Sequence, residues 1–213
     1  MKERGMIFNA EMVRAILDGR KTQTRRPVKF PVHDKNLGCE LAGNELAGEL
    51  SAGNYLNSAF GKPGDRIWVR EAFRVHSRAT DVATLVYKAS ERNSWTEQTH
   101  RVPVAVCNKP ATPEKWTPSL HMPRWASRIL LEITDVRVER LNAISEEDAR
   151  AEGIIDGGCL NCGEPEPCGC ANPEPDATDA FAYLWQSIYG QENWNANPWV
   201  WVIKFKRVEG GAA

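Results

Sequence analysis

Residues 19–26, Gly-Arg-Lys-Thr-Gln-Thr-Arg-Arg, concentrate side chains that suit an anionic or carbonyl ligand. A lysine amine can take a proton or stabilise an oxyanion, and a threonine hydroxyl can attack a carbonyl. Lys21 and Thr24 would point in opposite directions if both lay in a regular strand, so they cooperate only if Lys21 sits in a turn. The alternative interpretation is a solvated basic strand end.

A short amphipathic helix precedes this basic segment and fixes where it begins. Asn9 can cap the helix, its apolar face carries Val13 and Ile16, and Gly19 supplies the left-handed residue that ends it. We therefore expect Lys21 and Thr24 to start directly after a defined helix end.

Several later segments predict the elements of a mixed α+β fold. Residues 129–141 give the longest strand signal, of the kind that closes a small barrel. Ser145 with Asp148 predicts the start of a helix that runs through Glu152. A further helix is predicted over 178–189. In the final strand, 199–208, the alternation of aromatic and smaller residues predicts a buried aromatic face.

Four blocks in chain order resemble the ASCH domain, a small PUA-like β-barrel with short flanking helices. They are Lys-Thr-x-Thr-x-Arg at 21–26, Gly-Asp-Arg-Ile-Trp-Val at 64–69, the helix 145–152, and 187–189 with 202–205. The resemblance implies one domain over 1–213, with insertions at about 31–60 and 75–128 and a cysteine-rich loop at 155–176. This longer form is similar to prophage-encoded members of the family.

The ASCH family includes bacterial enzymes that hydrolyse the amide of N4-acetylcytidine, and the resemblance implies their catalytic group here. Thr24 would be the nucleophile or position water, Lys21 would take its proton or stabilise the oxyanion, and Glu152 would serve the leaving amine as acid or base. Arg20 and Arg26 would hold substrate. As alternatives, the family also implies an RNA-binding module or a ribonuclease using the same basic cleft, and the distances among the three catalytic side chains discriminate between an enzyme and a binding module.

A proline-punctuated loop at 109–128 interleaves arginine with tryptophan, a combination that can clamp a base and pair a phosphate. Its candidate substrate-binding residues are His121, Arg124, Trp125 and Arg128. The alternative is that Trp125 plugs the open barrel end. Glu71, in the strand predicted at 66–73, is expected to pair with a nearby arginine at the edge of the substrate site, because buried charges are usually paired.

Four of the six cysteines cluster as Cys-x-x-Cys followed by Cys-x-Cys. Cys159, Cys162, Cys168 and Cys170 suit a tetrahedral structural zinc site, with free thiols as the alternative. Four protein ligands leave no open position on the metal. We therefore expect no cofactor for catalysis.

Composition limits the kinds of partner that the protein can bind. The 213 residues are 42% hydrophobic with a formal net charge of -1, so binding to a polyanion must use local basic patches such as residues 14–29. No run approaches the roughly 18 apolar residues of a membrane span, and the amino terminus lacks an apolar signal core. We expect a cytoplasmic protein that binds a nucleoside or RNA and no membrane.

Overall fold

A computed structural model describes residues 1–155 and 177–208, which form a mixed α+β fold. The α-helices are α1 (Ala10–Leu17), α2 (Gly43–Ser51), α3 (Trp95–Gln98), α4 (Glu146–Ala151), α5 (Ala177–Tyr189) and α6 (Gln191–Asn195). The strands are β1 (Glu3–Ile7), β2 (Gln23–Pro27), β3 (Val32–His33), β4 (Glu40–Leu41), β5 (Arg66–Arg70), β6 (Phe73–Arg78), β7 (Val82–Tyr87), β8 (Thr99–Pro103), β9 (Leu130–Arg140) and β10 (Trp199–Arg207). The predicted α+β class is confirmed.

The chain divides into two compact units. Unit 1 comprises Met1–Asp18, Gly64–Glu132 and Lys206–Ala213, and unit 2 comprises Gly19–Pro63 and Ile133–Phe205. In unit 1, β1 pairs with β5 in parallel, β5 pairs with the start of β9 in antiparallel, and β6, β7 and β8 form an antiparallel sheet. Phe73, Leu85 and Tyr87 belong to the core on this second sheet.

Local sequence signals position α1 as predicted. The Asn9 side chain accepts a hydrogen bond from the backbone N–H of Met12 at 2.8 Å, and Val13 and Ile16 are buried. Gly19 follows with φ of 77°, a conformation that L side chains rarely adopt. The helix end therefore fixes the start of the basic segment.

Unit 2 is built on the strand order β9-β10-β2, with a separate hairpin of β3 and β4. Phe181 and Trp185 of α5 pack against Val200 and Val202 of β10. Trp201 and Ile203, which point to the other face, are buried as well. The predicted aromatic face is thus buried, and the helices bury the valine face too.

The predicted insertion at about 31–60 contains one clear helix, α2. Leu46 and Leu50 on α2 are buried, and a Cβ added at Gly43 would overlap the Trp199 indole. Gly43 therefore permits close packing of α2 against Trp199.

The described strands do not close into a barrel in either unit. Unit 1 has the orders β1-β5-β9 and β6-β7-β8, and unit 2 has β9-β10-β2 and β3-β4. The closed barrel predicted through the ASCH resemblance is thus not observed in the described chain. In residues 1–155 and 177–208, no helix has the length and apolar composition that crossing a membrane requires.

Candidate functional site

Lys21 and Glu152 are brought together in unit 2 by backbone and side-chain contacts. The two residues form an isolated antiparallel bridge, so Lys21 lies in extended chain rather than in a turn. Lys21 Nζ donates to Glu152 Oε2 and to the Glu152 carbonyl oxygen, both at 2.8 Å. The side chains are 0% and 4% exposed. α4 positions Glu152, because the Ser145 hydroxyl accepts from the Asp148 N–H and starts the helix as predicted.

Burial controls the protonation of Lys21. Removal of the amine from water lowers the pKa of Lys21, and the nearby Glu152 carboxylate opposes this without reversing it. A lysine with a lowered pKa loses its proton more readily and can then accept one. The pair is therefore a buried amine and a buried carboxylate in direct contact.

Arg25 is the centre of a larger ion-pair cluster, which we call the Arg25 network. Its Nη1 donates to Glu152 Oε1 at 3.1 Å, and its Nη2 donates to Glu139 Oε1 at 2.6 Å and to Asp148 Oδ2 at 2.9 Å. Arg137 pairs with both Asp148 and Glu139 from the strand β9. The network comprises Lys21, Arg25, Arg137, Glu139, Asp148 and Glu152.

The Arg25 network neutralises its own charges. Burial acts to raise the pKa of Asp148, but the hydrogen bond from Arg25 and the charge of Arg137 outweigh it, so the pKa is lowered and the carboxylate stays ionised. The salt bridges of the network join β2, β9 and α4.

Thr24 lies apart from Lys21 and Glu152. Thr24 is opposite Ile203 in the antiparallel pairing of β2 with β10, whereas Gln23 and Arg25 on either side of it face Asp148. Since side chains alternate along a strand, Thr24 points to the opposite face from Arg25 and the Arg25 network. The structure thus joins two of the three predicted catalytic residues and separates the third.

A cavity of about 460 Å³ lies beside the edge strand β2 in unit 2; we call it the Arg26 cavity. Arg26 and Lys29 line it together with the rings of Phe60, Tyr189 and Trp201. The Phe60 and Trp201 rings meet edge to face, with centroids 5.8 Å apart. Two cationic side chains and three aromatic rings therefore converge on one concave surface.

The ring of Tyr189 is held in place at the end of α5. Its centroid lies 4.4 Å from that of Trp185, a core residue that is 3% exposed. Tyr189, Lys29, Phe60 and Trp201 were not predicted as site residues. They come from four separate segments. Tyr189 lies in the block 187–189, Lys29 in the basic patch 14–29 and Trp201 in the predicted final strand, but none of these signals indicated a shared cavity.

Two predicted site residues form a buried ion pair in unit 1. Arg128 Nε and Nη2 donate to the two carboxylate oxygens of Glu71 at 2.9 and 3.1 Å, and Nη2 also donates to the Ser90 hydroxyl. The Arg128 guanidinium lies 4.0 Å from the centroid of the Tyr87 ring. Burial raises the pKa of Glu71, although Arg128 acts against it. The predicted pairing of Glu71 with an arginine is confirmed.

The remaining predicted substrate-binding residues are dispersed. Arg20 donates to the Gly153 carbonyl at 2.9 Å in unit 2, and Arg124 pairs with Glu3 at the surface of unit 1. Trp125 packs partly buried against the core of unit 1, with its ring 6.2 Å from that of Phe73. His121 lines a separate cavity in unit 1.

No protein-family model, curated protein or solved structure matches this chain. The ASCH affiliation therefore stays a prediction.

The zinc prediction falls on Cys159, Cys162, Cys168 and Cys170, which lie outside the described residues. Within residues 1–155 and 177–208 there is no cluster of side chains that could hold a metal ion. The structural zinc site stays a prediction.

Proposed function

We propose that the protein binds a nucleoside or nucleotide in the Arg26 cavity. The observation that carries the proposal is the convergence of Arg26 and Lys29 with Phe60, Tyr189 and Trp201 on a cavity of about 460 Å³. Pockets for small ligands typically have volumes of about 300–1,000 Å³. A single nucleotide fits within this range.

The two kinds of side chain suit the two parts of a nucleotide. Aromatic rings stack on the faces of bases with little dependence on sequence, and guanidinium and ammonium groups pair with phosphate. Lys29 is exposed at the cavity and Phe60 is half-buried, so both are accessible to a ligand. Trp201 is 3% exposed and supplies the floor against which Phe60 is held.

Replacing Phe60 by Ala tests the stacking contact. A stacked base contributes about 1–3 kcal/mol, so the affinity for cytidine 5′-monophosphate should fall roughly 5- to 150-fold in isothermal titration calorimetry. Tyr183→Ala is the matched control, because Tyr183 lies on α5 of the same unit and is 75% exposed outside the cavity. Equal affinity of the Phe60→Ala variant and the unaltered protein would overturn the proposal.

Replacing Lys29 tests whether the cavity binds the phosphate as well as the base. Lys29→Ala should weaken binding of the nucleotide and leave binding of cytidine unchanged, because cytidine lacks the phosphate that the ammonium group would pair with. If Lys29→Ala also weakens the binding of short RNA oligonucleotides, the protein is identified as an RNA-binding module. That role agrees with the proposed membership of the ASCH family, whose RNA contacts remain part of the proposal.

Hydrolysis of an acylated nucleobase is the second candidate function, and the Lys21–Glu152 pair favours it. In this function Lys21, whose amine lies 2.8 Å from the Glu152 carboxylate, would take a proton from water. Water would then add to the amide carbonyl, the carbon–nitrogen bond would break, and the proton would pass to the leaving amine. The products from N4-acetylcytidine are cytidine and acetate.

Substitutions at 21 and 24 test this second function directly. The protein should release cytidine from N4-acetylcytidine, detected by chromatography, and Lys21→Met should abolish the release. Thr24→Val should retain the activity, because Thr24 faces away from Lys21. Activity that depends on Thr24 would contradict that placement of Thr24, and an inactive unaltered protein would exclude N4-acetylcytidine hydrolysis.

A further inference from the structure

Unit 1 contains a second cavity that neither proposed function uses. It has a volume of about 390 Å³ and is lined by Lys109, Lys115, Trp116 and His121, with apolar contributions from Val75 and two prolines. We call it the Trp116 cavity. It belongs to the segment 75–128.

Two lysines give the lining of the Trp116 cavity a positive charge. None of its lining residues is an aspartate or glutamate. Within the part of the chain that the structure describes, neither Lys109 nor Lys115 has a carboxylate partner, whereas Arg128 and Arg124 of the same unit are paired. Two ammonium groups at one concave surface attract an anion, because their charges add and no acid of the lining offsets them.

Ring and backbone contacts hold the walls of the cavity. The Arg74 guanidinium lies 4.5 Å from the centroid of the Trp116 ring, and its Nε is buried without a partner among the described residues. The neighbouring Thr117 exchanges two backbone hydrogen bonds with Phe73 of β6, at 2.7 and 3.1 Å. The Thr112 N–H donates to the Val75 carbonyl at 2.9 Å, which ties down the preceding part of the loop.

We infer that the Trp116 cavity is a second nucleotide-binding site, in which Lys109 and Lys115 pair with phosphate and the Trp116 indole contacts the base. An aromatic ring beside paired cations is the arrangement by which proteins hold single-stranded nucleic acid. The nucleotide can be free or part of an RNA strand, since both present the same phosphate and base. This site is independent of the Arg26 cavity, and either can fail without the other.

The test uses the full chain carrying Phe60→Ala, so that binding in the Arg26 cavity does not obscure the result. Binding of uridine 5′-monophosphate, ribose 5-phosphate and a fluorescein-labelled ten-nucleotide uridine RNA is measured by calorimetry and fluorescence anisotropy. Lys109→Gln with Lys115→Gln should weaken nucleotide binding at least about tenfold. The slope of log K against log salt for the RNA should become shallower by about 0.7 for each phosphate that the protein no longer neutralises.

Trp116→Leu should weaken binding roughly 5- to 150-fold, and Trp116→Phe should restore most of it because a ring is kept. Trp95→Leu is the control, since Trp95 is a 52% exposed tryptophan of unit 1 outside the cavity. If the mononucleotide binds, the inference is supported and the ligand is a free nucleotide. If only the RNA binds, the inference is supported and the ligand is RNA. Unchanged affinity in the lysine variant, or ribose 5-phosphate bound as tightly as the nucleotide, would overturn the inference.

Discussion

The Glu152→Gln variant is expected to lose about 3–5 kcal/mol of unfolding free energy, because removing one partner of a buried ion pair leaves the other charge uncompensated. In the native protein Glu152 accepts hydrogen bonds from both Lys21 and Arg25, and its side chain is 4% exposed. Gln keeps the shape and removes the charge. Urea unfolding followed by circular dichroism measures the change.

Two further variants test whether the charge of Glu152 is the cause. Glu147→Gln, an exposed position on the same helix α4, should change the unfolding free energy by no more than about 0.5 kcal/mol. Lys21→Met combined with Glu152→Leu removes both charges of the pair and should recover much of the loss. A Glu152→Gln protein as stable as the unaltered one would show that the pair contributes nothing to the fold.

The pH dependence of the Glu152→Gln deficit follows from Lys21. Its pKa lies below the usual value of 10.5 because of burial, and without the Glu152 carboxylate it falls further. At pH values between the pKa of Lys21 in the folded state and its pKa in the unfolded chain, the unfolded chain binds more protons. Stability therefore rises with pH in this range. The deficit should therefore shrink from neutral pH towards about pH 10. A deficit that grows with pH would contradict this assignment.

In unit 1, Arg128→Met should also cost about 3–5 kcal/mol of unfolding free energy at neutral pH, since it leaves the Glu71 carboxylate buried without a partner. Burial already raises the pKa of Glu71, and loss of Arg128 removes the groups that oppose the increase. The folded state then binds the proton more tightly than the unfolded chain. The Arg128→Met protein keeps its stability at pH values below the pKa of Glu71 in the unfolded chain. It loses stability as pH rises through the pKa of Glu71 in the folded state.

The Arg128→Met deficit is therefore expected to be small near pH 4 and large at pH 7, when thermal unfolding is compared across that range. Arg124→Met is the matched control, because Arg124 pairs with Glu3 at a site 42% and 35% exposed. Exposed pairs typically contribute about 0–1 kcal/mol. A deficit for Arg128→Met that does not vary with pH would mean that weaker packing on Tyr87, rather than the stranded charge, is responsible.

Local signals in the sequence predicted much of the secondary structure. Asn9 and Ser145 cap their helices as expected, since a cap depends on residues only three positions apart. The strand at 129–141 and the helix at 178–189 match β9 and α5 closely. The sequence did not predict that β10 would be buried on both faces, because that depends on α5 packing from a distant part of the chain.

The sites were harder to predict because they depend on contacts between remote segments. Arg25, the centre of its network, was only one basic residue of a motif, and its partners Glu139, Asp148 and Glu152 lie 114 to 127 positions away. The alternation of side chains along a strand already predicted that Lys21 and Thr24 would point in opposite directions unless Lys21 lay in a turn. The extended pairing at Lys21 removes that turn and separates them.

The central claim is that the Arg26 cavity binds a nucleotide, and chemical-shift mapping tests it most directly. Cytidine 5′-monophosphate is titrated into isotope-labelled protein, and the nuclear magnetic resonance signals of the backbone and of the aromatic rings are followed. We expect saturable shifts centred on Lys29, Phe60 and Tyr189. Saturable shifts confined to Lys21 and Glu152, or no shifts at millimolar nucleotide, would contradict the claim.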